Sequence, residues 1–379
     1  MDLKSKMDAM FKEQIDYVTD KVDANAKASK AKIPSDLEKK GLENIKKIQH
    51  QVKREVKHIP SGQTGKIMAL SWGPAENDSR MAICDQEGAC FIWETQRTTP
   101  LRICGCVVPF TQSLALSPDT ASQTLLVGGM HNSTVLYKQD GSNPELKKMK
   151  TWVAHDGYIS SLAFLTNSKY ISASGDADIR CFDINGGDMN GYMTFKGHTK
   201  DAQSLKFARD DASKNTFITC SSDKTVKMWD VRSGICTHTF ESDSELNACA
   251  IFPNGNLIAG GGQKDKTYLW DVRAYKLLNK YARNNMITAS LEFSKSGREL
   301  FVGHEDGSII VWDIFGSDGE NRTYESKIEA HVVKEQGDPS KIDTSKSRVQ
   351  ILDVGPAGFL ASGGFDGKVK IWGAPKAEA

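Results

Sequence analysis

The chain has 379 residues, 39% of them hydrophobic, enough to bury a large core either as two ordinary domains or as one large repeat domain with an extension. Lys and Arg number 49 against 48 Asp and Glu, a formal charge of +1, so no global field draws the chain to nucleic acid or to an anionic membrane and any partner must be recognised locally. The cysteines Cys84, Cys90, Cys104, Cys106, Cys181, Cys220, Cys236 and Cys249 never form a C-x-x-C pair, which fits buried thiols in a reducing cytosol better than a zinc site or a disulfide framework.

Residues 1–53 read as a helical extension. Apolar residues at Phe11, Ile15, Val18 and Val22 follow a 4-3-4 spacing, one narrow stripe of the kind that seeks a single partner helix. The next seam position is Asn25, which either fixes register in a coiled coil or marks where the seam ends. Met7 and Met10 break the alternation at the other end. A second helix is announced by Ser35 and Glu38 as a capping box after Pro34, with Leu42, Ile45, Ile48 and Val52 at helical spacing behind it. A helix with so short a seam is marginal alone in water; it either folds back on the rest of the chain or, more simply, pairs with another chain.

From residue 54 to 373 the chain repeats. The strand ends CFIWE (Trp93), TVLYK (Tyr137), IRCFDI (Phe182), VKMWDV (Trp229), TYLWDV (Trp270), IIVWDI (Trp312) and VKIWG (Trp372) mark seven copies, most of them about 40 to 47 residues apart. The fourth copy shows the plan: Gly197-His198, an alternating strand AQSLKFA, an apolar strand TFITCSS, a tight turn at Asp223-Lys224, then TVKMWDV. A four-stranded unit of this kind buries its faces only against its neighbours, so the ring must close on itself. The stretch Arg54 to Gly62 is the candidate for the outer strand that closes the seventh unit. His155, His198 and His331 are read as structural members of buried networks with the turn Asp and the strand Trp, as Asp223 and Trp229 are for the fourth copy, rather than as metal ligands or bases. Val332 to Arg348 is an insertion before the last unit whose composition predicts a solvent loop, and 374–379 is a short tail without a prenylation cysteine.

These seven copies resemble the WD40 repeat, which implies an all-β, seven-bladed propeller behind the N-terminal helical, coiled-coil extension. The two-helix leader followed by seven blades, with GKIMALSW, AHDGYISSLAFL, GHTKDAQSLKFA, WDVRSGICTHTF, LNACAIFPNGN and LEFSKSGREL, is similar to the β subunit of heterotrimeric G proteins. The resemblance implies an obligate γ-subunit partner on Phe11, Ile15, Val18, Val22 and Asn25, a GDP-bound α subunit and competing effectors on one propeller face, and no cofactor. It implies a cytoplasmic protein held at the inner face of the plasma membrane only through the lipid of γ. The family's α/effector face maps onto Lys66, Met68, Phe110, Gln112, Met130, Asn132, Asp156, Tyr158, Asp201, Gln203, Glu245, Asn247 and Phe365. Lys66, Asn132, Tyr158, Asp201 and Asn247 keep the family residue. Thr64 replaces Leu, Met68 replaces Tyr, Phe110 and Phe365 replace Trp, and Gln112 and Gln203 replace Met. Two aromatic anchors stay aromatic, while two adaptable apolar contacts are lost. In the fifth copy GGGQKDK aligns ambiguously.

No catalytic pattern is present. GQTGK, Gly62 to Lys66, is too short for a phosphate loop and has Ile67 where a magnesium-ligating hydroxyl is needed. The competing reading is another propeller scaffold, of the receptor for activated C kinase type, or an adaptor whose leader self-associates.

Overall fold

The computed structural model describes residues 65–373 apart from 75–77, 95–101, 105–109, 120–123, 140–144, 189–190, 210–213, 283–285, 316–325 and 336–337, all within the compact unit Lys53–Gly373. The helical extension with Phe11, Ile15, Val18, Val22 and Asn25, the closing strand expected over Arg54 to Gly62, Thr64 and the tail 374–379 lie outside the described residues.

Seven antiparallel sheets succeed one another along the chain, each with its strands hydrogen-bonded in sequence order. Six have four strands; the seventh shows three, Val349–Val354, Leu360–Gly364 and Val369–Trp372. The fourth blade is typical: Ala202–Phe207 innermost, then Thr216–Ser221, Thr225–Asp230 and Ile235–Glu241. Its outer strand alternates exposed and partly buried positions because only one face has a neighbour, whereas Thr216–Ser221 is buried almost throughout.

The inner strands are Ile67–Trp72, Thr111–Leu116, Ile159–Phe164, Ala202–Phe207, Leu246–Ile251, Thr288–Phe293 and Val349–Val354. Each packs on the next, and the last packs on the first, so the inner strands form a closed ring. At that seam the Trp72 amide donates to the Asp353 carboxylate at 2.8 Å and the Trp72 indole to the Asp353 carbonyl at 3.1 Å. The core is correspondingly divided into clusters shared by neighbouring blades, for example Ile171, Cys181 and Phe195 of the third with Leu205, Phe217 and Trp229 of the fourth. A second tie crosses the ring: Lys206 and Arg209 of the fourth blade reach Glu292 of the sixth at 2.6 and 3.1 Å, and Arg209 reaches Asp353 of the seventh at 3.6 Å.

Two local features recur. In every inner strand the pairing register skips the second residue, which leaves Met68, Gln112, Ser160, Gln203, Asn247, Ala289 and Gln350 as bulges. Such a bulge re-aims its side chain away from the sheet. The turn between second and third strands needs one left-handed residue, supplied by Gly88, Asn132, Ala177, Lys224, Gly307 and Gly367 in six blades. In the fifth blade that turn is a short 3-10 segment, Gln263–Asp265, with the left-handed residue at Lys264. The shift explains why GGGQKDK does not align with the other copies.

The insertion before the last blade faces solvent over most of its described length, as its composition predicts, but it carries regular structure. Lys334–Glu335 pairs with Asp338–Ile342 as a small hairpin. Its neck is fixed by the buried Ser347, whose hydroxyl accepts from the Val333 amide at 2.7 Å and donates to the Val333 carbonyl at 3.0 Å. That one side chain closes the insertion without any apolar pattern to advertise it.

Candidate docking face

The third, fourth and seventh blades carry a polar network in their interior. In the fourth, His198 Nδ1 lies 2.8 Å from Asp223, His198 Nε2 lies 2.8 Å from the Thr219 hydroxyl, and the Trp229 indole donates to the same hydroxyl at 2.8 Å. The seventh repeats it with His331, Asp366, Ser362 and Trp372. The third has His155, Asp176 and Ser172, with the Phe182 ring in the indole's place. Asp176 shows the electrostatics: burial alone would raise its carboxyl, but the His155 hydrogen bond and charge together with the Asp178 and Asp156 amides hold it down at about 2. Every polar group of these networks is spent on another, so they brace the fold.

The same turns carry the face. In each blade the carbonyl just before or at the start of the inner strand accepts a hydrogen bond from the following turn: Lys66 from the Gln86 amide, Phe110 from Met130, Tyr158 from Gly175, Asp201 from Ser222, Glu245 from Gln263, Ile287 from Glu305 and Arg348 from Phe365. The residues Lys66, Phe110, Tyr158, Asp201 and Glu245 are thereby set at one end of their blades, beside the bulged Met68, Gln112, Gln203 and Asn247.

Contacts then run from blade to blade around this end. The Phe110 amide donates to the Gln86 carbonyl at 3.0 Å, joining the first and second blades. The Asn132 amide side chain donates to the Asp156 carbonyl at 3.0 Å, and the Tyr158 hydroxyl to the Asp201 carboxylate at 2.9 Å. Lys200 meets Glu245 at 3.1 Å, and Asn247 donates to the Thr288 carbonyl at 3.2 Å. Arg348 pairs with Glu305 at 2.9 Å and lies over the Phe365 ring, whose other cationic neighbour is Lys66, 4.3 Å from the ring centre. Of the mapped residues, Lys66, Phe110, Asn132, Asp156, Tyr158, Asp201, Glu245, Asn247 and Phe365 take part in these blade-to-blade contacts, and Gln112 meets Met130 within the second blade.

Gln203 and Phe110 show how differently the mapped positions are held. Gln203 donates to the Tyr158 hydroxyl at 3.0 Å and to Ser222 at 3.2 Å, a fixed polar bridge. Burial, then the bond to Asp201, pushes the Tyr158 hydroxyl up to about 12, which keeps it a protonated donor at neutral pH. Phe110 contrasts with it: its ring is 47% exposed and its backbone sits at φ 59, a left-handed conformation costly for a large side chain. Met130, 52% exposed, lies beside it with its sulfur 3.4 Å from the Gln112 side chain. Together the two side chains form an exposed apolar patch at this end of the second blade. Arg348, Ser222, Gln86 and Glu305 were missed from sequence; Arg348 occupies the position that precedes the inner strand, as Lys66 does, but the insertion in front of it hides the equivalence.

Among the described residues no cluster of three or more His, Cys, Asp or Glu side chains could hold a metal ion, and no helix is long and apolar enough to cross a membrane.

Comparison with known proteins fits this geometry. The WD40 profile, described as "WD domain, G-beta repeat", matches residues 146–183, 191–230, 234–271, 282–313 and 346–373. A "Guanine nucleotide-binding protein subunit beta" of Nicotiana tabacum is 28% identical over 337 residues, covering 83% of this chain and 82% of its own. The protein of that name in Arabidopsis thaliana is 28% identical over 335 residues, 82% of this chain and 81% of its own. That of Oryza sativa subsp. japonica is 26% identical over 332 residues, with 82% and 81% covered.

Proposed function

We propose, on the premise that the chain is a divergent WD40-repeat protein of the G-protein β kind, that it is the non-enzymatic β subunit of a G-protein complex. In this reading the seam Phe11, Ile15, Val18, Val22 and Asn25 pairs with a γ subunit, and the face from Lys66 through Phe365 takes a GDP-bound α subunit. Effectors compete for the same face, so signalling works by covering and uncovering it. The lipid of γ holds the complex at the inner face of the plasma membrane. The observation that carries the reading is the ring of blade-to-blade contacts through the mapped residues, with Phe110 left outward and exposed.

The test is capture of α loaded with GDP or with a GTP analogue. The baits are the full chain co-expressed with γ and a chain lacking residues 1–32. The full chain captures the GDP form in preference, and removal of 1–32 abolishes recovery of γ. Equal capture of both nucleotide states would refute the β-subunit reading and leave a general scaffold.

A further inference from the structure

We propose that Cys84 and Cys90 form a reversible dithiol–disulfide pair that sets the turn joining Lys66 to Phe110. The two residues sit directly opposite each other on the second and third strands of the first blade, Arg80–Asp85 and Cys90–Glu94. The adjacent pair, Asp85 and Ala89, is hydrogen-bonded through the Asp85 amide at 3.1 Å, so Cys84 and Cys90 occupy a non-hydrogen-bonded site, where facing side chains come closest. Their sulfurs are 2.8 Å apart, well inside ordinary contact, and both side chains are fully buried. Facing cysteines at this kind of site need no strand movement to reach the geometry of a disulfide.

What the pair controls follows from its place. It lies at the neck of the turn Asp85 to Ala89, where the Asp85 carboxylate accepts from the Glu87 and Ala89 amides at 3.0 and 2.9 Å and Gly88 takes a left-handed φ of 91. Gln86, at the crest, donates its amide to Lys66 and accepts from the Phe110 amide. A bond across the neck holds Gln86, and with it the spacing of the Lys66 and Phe110 backbones. In the fourth blade the corresponding pair is Cys220 and Val226, so the device belongs to the first blade alone of these two.

The chemistry balances with hydrogen peroxide as oxidant. One sulfur attacks the O–O bond, forming S–O as O–O breaks, and the departing oxygen leaves as water with the thiol proton. The second sulfur displaces the hydroxyl, forming S–S as S–O breaks, and a second water leaves. The two thiols lose two electrons and the peroxide gains them; a small-molecule thiol such as glutathione reverses the bond.

The full chain is treated with graded hydrogen peroxide, quenched with an alkylating reagent and digested with trypsin. Cys84 and Cys90 fall in one peptide, residues 81–97, because no Lys or Arg separates them. The expected product is that peptide lighter by two hydrogens and unalkylated, restored by glutathione. Amide exchange at Gln86 and Phe110 slows several-fold on oxidation in the wild type and stays unchanged in Cys90→Ser and in Cys84→Ser. Alkylation of both cysteines at every peroxide level, sulfinic acid at either, or linkage to Cys104, which register places across from Cys90 on the next strand, would overturn the pair. A disulfide that leaves exchange at Gln86 and Phe110 unaltered would overturn its control of the turn. None of these readouts depends on the α or γ partnership.

Discussion

The fourth and first blades share one topology and hold it by opposite means. In the fourth, Thr219 receives the Trp229 indole and faces His198, and Asp223 completes a buried polar chain. In the first, Ile83 occupies the place of Thr219, and the Trp93 indole nitrogen is buried with no partner among the described residues. The difference teaches that closure constrains each blade's shape, whereas the polar network contributes local stability that a blade can lose when apolar packing fills the space. The outer ends differ in the same direction. Tyr158, Asp201 and Gln203 are tied to each other, while Phe110 on the second blade stands exposed.

The comparison breaks most visibly at Asp223. Asp223→Ala strands a buried imidazole and its hydroxyl partner and should cost about 3 kcal/mol in denaturant unfolding; a loss below about 1 kcal/mol would mean the network braces little. Next comes Phe110→Ala, which should weaken capture of the GDP-bound α subunit by at least about tenfold while leaving unfolding within about 0.5 kcal/mol. Equal loss of stability and binding would show that Phe110 is a packing residue. Acid separates the blades by a smaller margin. The Asp176 carboxyl is depressed in the folded state, so its contribution is fully present above the ordinary value of 3.8 and disappears as pH falls towards about 2. Because solvent reaches part of this pair, the loss should be about 1–2 kcal/mol between these limits, and Asp176→Asn should flatten that acid limb.

A finer probe transplants one half of the comparison into the other. Ile83→Thr offers the Trp93 indole an acceptor at the expense of apolar burial, terms of about 1 kcal/mol each, and should be near neutral by thermal unfolding. A destabilisation of about 3 kcal/mol would show that the first blade cannot use a hydroxyl there. The smallest effect is at Ala177, which takes φ 69 in a turn where the first, sixth and seventh blades use glycine. Ala177→Gly should stabilise by about 0.5 kcal/mol, the relieved backbone strain slightly exceeding the added freedom of the unfolded chain.

The number of blades was legible because the aromatic strand end and the turn recur at a steady spacing, and the propeller needs little more. The mapped face rests on resemblance alone, since a single loop residue such as Asp201 reads as an ordinary turn. Its contacts were not legible at all: Tyr158 meets Asp201 and Arg348 meets Glu305 across 43 residues, a separation to which local periodicity is blind. The hairpin at Lys334–Glu335 and Asp338–Ile342 escaped for a related reason. Its order comes from Ser347 and Val333 bonding across its neck, while its Lys, Asp and Ser composition is that of a solvated loop.

The ion pairs that join Lys206 and Arg209 to Glu292 and Asp353 act as spokes in a wheel. Asp353 also receives Trp72, so the joint where the two ends of the ring meet is braced from the opposite rim. Moving the seventh blade away from the first therefore has to break the Arg209 pair as well as the two Trp72 bonds.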